Sequence, residues 1–361
     1  LIKVLDLYII RKFLGTFFFM VLAFVIIAVV FDVSENIDDL VKSNAPWHKI
    51  LINYYLNFCF HFANLLSSFI VFLTIIWITS KLAQRSEIVA MLSGGISYNR
   101  ILRPYFMAAT ILVCISLLLT HFVVPHANRT KYDFEVQYLK GALTVAEQNI
   151  HREIEPGTIA YFYKFNPGTL SGSNFSLERW KEGRLEWKLI SAGATYVTET
   201  GRWSINNASI REFHKDGTET LVQKAKLDTT IQLLDVEDFG LRSEIVTAMN
   251  WSELNAFIED QKMSGSGRVA QFEVEKYNRT AGPFSIFVLT IIAVSIASRK
   301  SRGGTGLHLM LAVIIGFVFV FISRMTTVSA MNLGFPAYLA VWVPNVLFLF
   351  VGLVLYLKAQ K

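Results

Sequence analysis

Six windows of the chain carry no Lys, Arg, Asp or Glu: 13–31, 50–80, 104–128, 280–298, 303–323 and 325–357. Each supplies the ~20 apolar residues that a helix needs to cross a bilayer. Helices are expected because backbone groups in lipid must be satisfied within their own segment. The first window ends at Asp32 with no small-residue cleavage site, so it is expected to be a retained span and not a signal peptide. Three spans therefore precede a polar insert, and three follow it.

The insert reads as β-rich. "TIAYFYKF" (158–165), "RLEWKLIS" (184–191), "ATYVTE" (194–199) and "ASIREFH" (208–214) are short runs of β-branched and aromatic residues. Turn signals divide them at Asn166-Pro167-Gly168, Lys181-Glu182-Gly183 and Lys215-Asp216-Gly217. That spacing predicts a sandwich or jelly roll. A helix over Trp251 to Lys262 follows and is broken at Ser264-Gly265-Ser266-Gly267. A charged helix from Arg268 to Arg279 then feeds the fourth span. Pro283 lies one turn inside that span, tolerable if neighbours satisfy the freed carbonyl.

Composition agrees: 53% of residues are hydrophobic and the mean hydropathy is +0.43, too apolar for an ordinary soluble domain. Charge then orients the spans. Segments 1–12, 81–103, 299–302 and 358–361 hold twelve basic residues and two acidic ones, while the rest of the chain holds twenty-two and twenty-six. This bias predicts both termini in the cytoplasm and 125–278 on the opposite side. The net charge of +6 thus reports topology and is no argument for nucleic-acid binding. Cys59 and Cys114 fall in apolar windows and are expected to be buried thiols.

Catalytic signatures are missing. The chain has no H-E-x-x-H, no G-x-S-x-G and no Gly-Lys-Ser/Thr of a phosphate-binding loop. His61 and His121 read as packing residues. Asp32, Glu35, Asp38 and Asp39 read as a solvated acidic face. A carrier without a P-loop draws on an ion gradient or on a partner ATPase, and the window centres lack the ionisable groups of a gradient-driven carrier. "SKLAQRSEIVAMLSGGIS" (80–97), between the second and third windows, has the form of a short amphipathic helix. Ile88, Val89, Met91 and Leu92 can enter a groove on a partner, or the helix can rest on lipid headgroups. Both readings fit the pattern.

"LAQRSEIVAMLSGG" resembles the coupling-helix signature of the lipopolysaccharide-export permeases, the LptF/LptG (YjgP/YjgQ) family. "LDLYIIRKFLGTF" is similar to that family's opening and "VVPHAN" to the exit of its third span. "GPFSIFVLTIIAVSIASRKSRGGTGLHLMLAVIIGFVFVFISR" and "NLGFPAYLAVWVPNVLFLFVGL" resemble its last three spans, in their endings more the LptG branch than the LptF one. The resemblance covers essentially the whole chain and is weakest in the insert.

It implies a polytopic α-helical membrane protein of six transmembrane helices (3+3) around a periplasmic β-jellyroll: membrane halves at 1–128 and 268–361, the β-domain with a flanking helix at 129–267, and a coupling helix near 84–96. It further implies a permease that is no enzyme, paired with a paralogue (LptF) above two copies of a cytoplasmic ATPase (LptB), with a bitopic adaptor (LptC) and lipopolysaccharide as substrate. No cofactor belongs to this chain; ATP and Mg are the ATPase's. The matched coupling positions are Arg85, Ser86, Glu87 and Met91. Candidate cations for the lipid phosphates are Lys42, Arg129, Lys131, Arg279 and Arg324, and candidate apolar walls for acyl chains are Phe24, Phe317 and Phe321. A helix starting at Gly303 would carry Arg324 to the far interface, ~32 Å away. Its competing role is that of a snorkelling anchor; Lys42 could equally neutralise Asp38 or Asp39. Glu35 stands where the family often has a basic residue, and a carboxylate there would repel a phosphate. The alternative function is a mechanotransmission permease or sensory receptor that moves no lipid. A lipid-sized cavity between the first and fifth spans would discriminate against it.

Overall fold

The computed structural model describes residues 3–139, 147–166, 169–214, 216–231, 245–263, 265–299 and 303–359. Of the basic residues that orient the spans, Lys300, Arg302 and Lys361 lie outside these, as do Pro167, Gly168, Lys215 and Ser264 of the turn signals. The chain packs as two compact bodies: Leu1–Phe134 with Thr247–Trp251 and Glu273–Lys361, and Glu135–Val246 with Ser252–Phe272.

Among the described residues, six helices are long and apolar enough to cross a membrane, and they build the first body. The first is α1 (Val4–Lys42). The second joins α2 (Trp47–Lys49) through a π-helical stretch to α3 (Asn57–Gln84), and the short α4 (Glu87–Ser93) follows. The third runs from α5 (Tyr98–Leu118) into α6 (Val124–Phe134), again through a π-helical turn. After the insert come α7 (Ile245–Ala248), α8 (Trp251–Met263), and the last three spans α9 (Val269–Ala297), α10 (Gly304–Leu333) and α11 (Ala337–Lys358). The charged helix expected before the fourth span is continuous with it.

Helix α1, of 39 residues, is about 58 Å long, so its acidic end reaches well past an apolar layer of ~30 Å. It buries one narrow stripe, Ile9, Phe13 and Phe17, with Val25 two turns further on. Phe18, Phe19, Leu22, Ile26 and Val30 face outward. The bundle's centre is instead α3, α5 and α9, where Ile70, Ile75, Ile76, Tyr105, Ile286 and Ile292 are fully enclosed. Pro283 sits inside α9, and side chains of neighbouring helices reach the backbone beside it: Ser68 donates to the Gly282 carbonyl at 3.2 Å and Asn345 to that of Ala281 at 2.9 Å. Contrary to expectation, Cys114 is exposed and Cys59 only partly covered.

The second body contains six antiparallel strands: β1 (Glu147–Glu155), β2 (Thr158–Asn166), β3 (Ser171–Lys181), β4 (Arg184–Val197), β5 (Arg202–Phe213) and β6 (Glu219–Thr229). Each pairs with its neighbour in sequence, so the described strands form one meandering sheet, which refines the expected jelly roll. Alternate residues of one face build an aromatic core in which Phe162 lies 4.7 Å from Phe175 and 5.6 Å from Trp203. Two expected strands are a single one: β4 runs through Gly193, where the Ser191 hydroxyl bonds the carbonyls of Gly193 and Asn206. Strand β3, rich in Ser, Gly and Asn, has a loop's composition and is held in the sheet by pairing on both sides. Glu182 and Gly183 both take positive φ in the tight β3–β4 hairpin.

Candidate functional site

One end of the bundle gathers the start of α1, the end of α3, α4, the start of α5, and the ends of α9 and α11. Asp6 of α1 and Arg100 of α5 form a two-pronged ion pair there. Tyr98 and Asn99 of α5 reach Ser298 and Tyr356, and the Arg299 guanidinium donates to the Lys358 carbonyl. The helix ends that carry the described basic residues of that side thus meet at one end.

Helix α4 crosses this end between two chain reversals. Ser86 holds a left-handed conformation (φ 60°) ahead of it, and Gly95 (φ 82°) follows it. Such a conformation suits glycine and strains serine. The apolar side of α4 faces its own bundle: Ile88 is 1% exposed, and Met91 and Leu92 pack on the same core. Of the four apolar residues that could enter a partner's groove or rest on headgroups, Val89 is exposed and the other three pack on the chain's own core. The cause is simple: seven residues make one apolar stripe, and the nearer core takes it. What α4 leaves outward is Arg85, Val89 and Ala90, with Ser86 and Glu87 half-covered. The Tyr8 hydroxyl donates to the Glu87 carboxylate at 3.1 Å, and Lys12 donates to that hydroxyl at 2.8 Å. Sequence reasoning missed Tyr8 and Lys12, although their one-turn spacing places both on one face of α1.

The five candidate cations do not converge. Lys42 and Arg129 are exposed. Lys131 lies over the rings of Tyr54 and Phe58, 5.4 Å from each. Arg279 is buried, donating to the Met249 carbonyl at 2.8 Å and lying 3.5 Å from Glu275. Arg324 is exposed and on the wall of a cavity. That cavity, of ≈ 230 Å³, is bounded by α3, α9, α10 and α11 and takes no residue from the first span. Polar groups of Ser68, Asn278, Ser285, Thr327 and Asn345 line it. This cavity is thus a different one from that looked for between the first and fifth spans. Phe317 and Phe321 stack at 6.4 Å on the outer face of α10, whereas Phe24 packs against the core. The acidic face also needs correcting: Asp32 turns inward and accepts from the Tyr54 hydroxyl at 3.2 Å, because the aromatic π-helical stretch of the second span lies beside it. Glu35, Asp38 and Asp39 stay exposed.

The chain is similar in sequence to known proteins. The lipopolysaccharide export system permease LptF/LptG family matches residues 7–358. Among curated relatives, the lipopolysaccharide export system permease protein LptG of Haemophilus influenzae is 21% identical over 270 residues, 74% of this chain and 75% of the relative. The LptG of Escherichia coli strain K12 is 20% identical over 283 residues, 77% of each chain. With a match across nearly its whole length, six long apolar helices and a β-sheet insert between the third and fourth, this multi-pass membrane chain belongs to the LptF/LptG family of lipopolysaccharide export system permeases.

Proposed function

We propose that this chain is one transmembrane subunit of an ATP-driven exporter that extracts lipopolysaccharide from the outer leaflet of the bacterial inner membrane and passes it to a periplasmic bridge. The observation that carries this reading is the uneven burial of the spans. Only 17% of the apolar stretch of α1 and of α10 is buried, against 67% for α9. Two spans with long bare apolar faces suit a chain that meets a second six-span subunit and encloses acyl chains between them. The Phe317–Phe321 pair on α10 belongs to such a wall, and Arg324, near the same helix's other end, supplies a forked cation for a lipid phosphate.

Energy enters at the opposite end. The partner is a cytoplasmic ATPase, two copies beneath the paired permeases, and Arg85, Ser86, Glu87 and Met91 are its coupling positions. Glu87 and Arg85 make the polar contacts, while Met91 braces the helix from within. Both termini are cytoplasmic and the β-insert is periplasmic, in keeping with the charge bias. An LptF-type paralogue and an LptC-type adaptor complete the assembly.

The test is reconstitution with lipopolysaccharide and ATP in vesicles. Glu87→Ala is expected to weaken copurification of the ATPase or to leave it bound while release stalls. Normal assembly with normal release overturns the role of Glu87. Orientation is checked separately: a cysteine at exposed Glu182, whose backbone tolerates a side chain, should react with an impermeant thiol reagent before the inner membrane is lysed. Labelling only after lysis reverses the topology.

A further inference from the structure

We propose that Tyr8 is a positioning residue for energy coupling: its hydroxyl ties the Glu87 carboxylate of α4 to Lys12 of the first span, so that α4 and the near end of α1 move as one piece. The inference rests on the coupling role given to α4 above. The bridge is a chain of two hydrogen bonds, Lys12 Nζ to Tyr8 Oη at 2.8 Å and Tyr8 Oη to Glu87 Oε2 at 3.1 Å, joining residues 79 positions apart. A cation donating to the phenol oxygen polarises its O–H and strengthens the bond that the O–H donates. Packing within this chain covers Tyr8 only in part, the residue being 42% exposed.

A second tie secures the far end of the same segment. Arg100, five residues past Gly95, grips Asp6 with both of its terminal nitrogens, one of them at 2.8 Å, and Asp6 is 1% exposed. The first two turns of α1 are therefore bound both to the start of α4 and to the start of α5. Ser86 and Gly95, in left-handed conformations at either side of α4, mark where the chain changes direction. A push on α4 from beneath is then carried into the least buried of the N-terminal spans. The Glu87 carboxylate has a second use: with one oxygen held by Tyr8, it is presented in one orientation to a basic group on the ATPase.

The experiment compares wild type, Tyr8→Phe and Tyr8→Ala in the complete complex in vesicles, reading lipopolysaccharide released per ATP hydrolysed, together with ATPase copurification and thermal stability. Tyr8→Phe keeps the ring and loses only the bridge. It should lower the release-to-hydrolysis ratio about five-fold, the factor one ordinary hydrogen bond carries, with assembly and melting temperature unchanged. Tyr8→Ala should uncouple at least as much. If Tyr8→Phe matches wild type and only Tyr8→Ala is impaired, the ring packs and the bridge carries nothing, which overturns the inference alone. A wild-type complex that hydrolyses ATP and releases no lipid overturns the inference together with the reading it rests on.

Discussion

Asp6 and Arg100, 94 positions apart in the chain, meet in a bidentate pair that fastens the start of the first span to the start of the third. Asp6 also accepts from the Lys3 backbone N–H at 2.9 Å, so one carboxylate closes the first turn of its own helix and holds another. An enclosed acid with two such duties is costly to leave unmatched. Arg100→Ala should therefore lower the melting temperature of the purified protein more than Arg100→Lys, which keeps the charge but not the fork. An Arg100→Lys variant as stable as wild type would show that the charge alone acts, and equal melting temperatures for the two variants would show that the charge contributes nothing without the fork.

Ser80 and His308 form a buried pair at 2.7 Å between α3 and α10. His308→Ala leaves the serine hydroxyl without its partner and should destabilise the bundle by about 1–3 kcal/mol. The lower part of that range is expected, since a helical serine can turn to the carbonyl one turn back. Thermal unfolding in detergent measures the loss, and a variant as stable as wild type removes the pair from the account of how α10 is held.

A methyl group on Gly172 would meet the Phe162 ring at 2.2 Å and the Phe165 ring at 3.1 Å. Both rings are fully enclosed in the sheet's core and have nowhere to go. Gly172→Ala should cost the insert about 1–3 kcal/mol. Thermal unfolding of the purified protein measures the loss, and an unshifted midpoint would mean the core yields more than its packing implies.

Arg324 should bind a lipid phosphate. Arg324→Lys is expected to lose part of the export activity and Arg324→Glu nearly all of it, with insertion and ATPase binding intact. A photocrosslinker at the same position should capture lipopolysaccharide from membranes. Normal export by Arg324→Glu, or capture of phospholipid alone, makes the residue an interfacial anchor.

The spans, the β-rich insert and the short helix after the second span were all legible in the sequence. Each is a local property: a charge-free stretch of bilayer length, an alternation of β-branched residues, a turn residue at the right place. The charge bias also foretold which helix ends meet, since the basic residues at the starts of α1 and α5 and the ends of α3, α9 and α11 lie together. What the tertiary structure alone decided is which neighbour covers each apolar stripe and which partner each polar group finds. Periodicity says that α4 has an apolar face; it does not say that Ile88, Met91 and Leu92 spend it on their own bundle. Arg100 became the partner of Asp6 only when α1 and α5 packed side by side. Strand β3 opens with Ser, Gly, Ser and Asn, and that stretch is a strand because β2 and β4 flank it. The cavity bearing Arg324 opens among α3, α9, α10 and α11, since contacts between helices distant in sequence depend on the whole packing and on no window of residues within it.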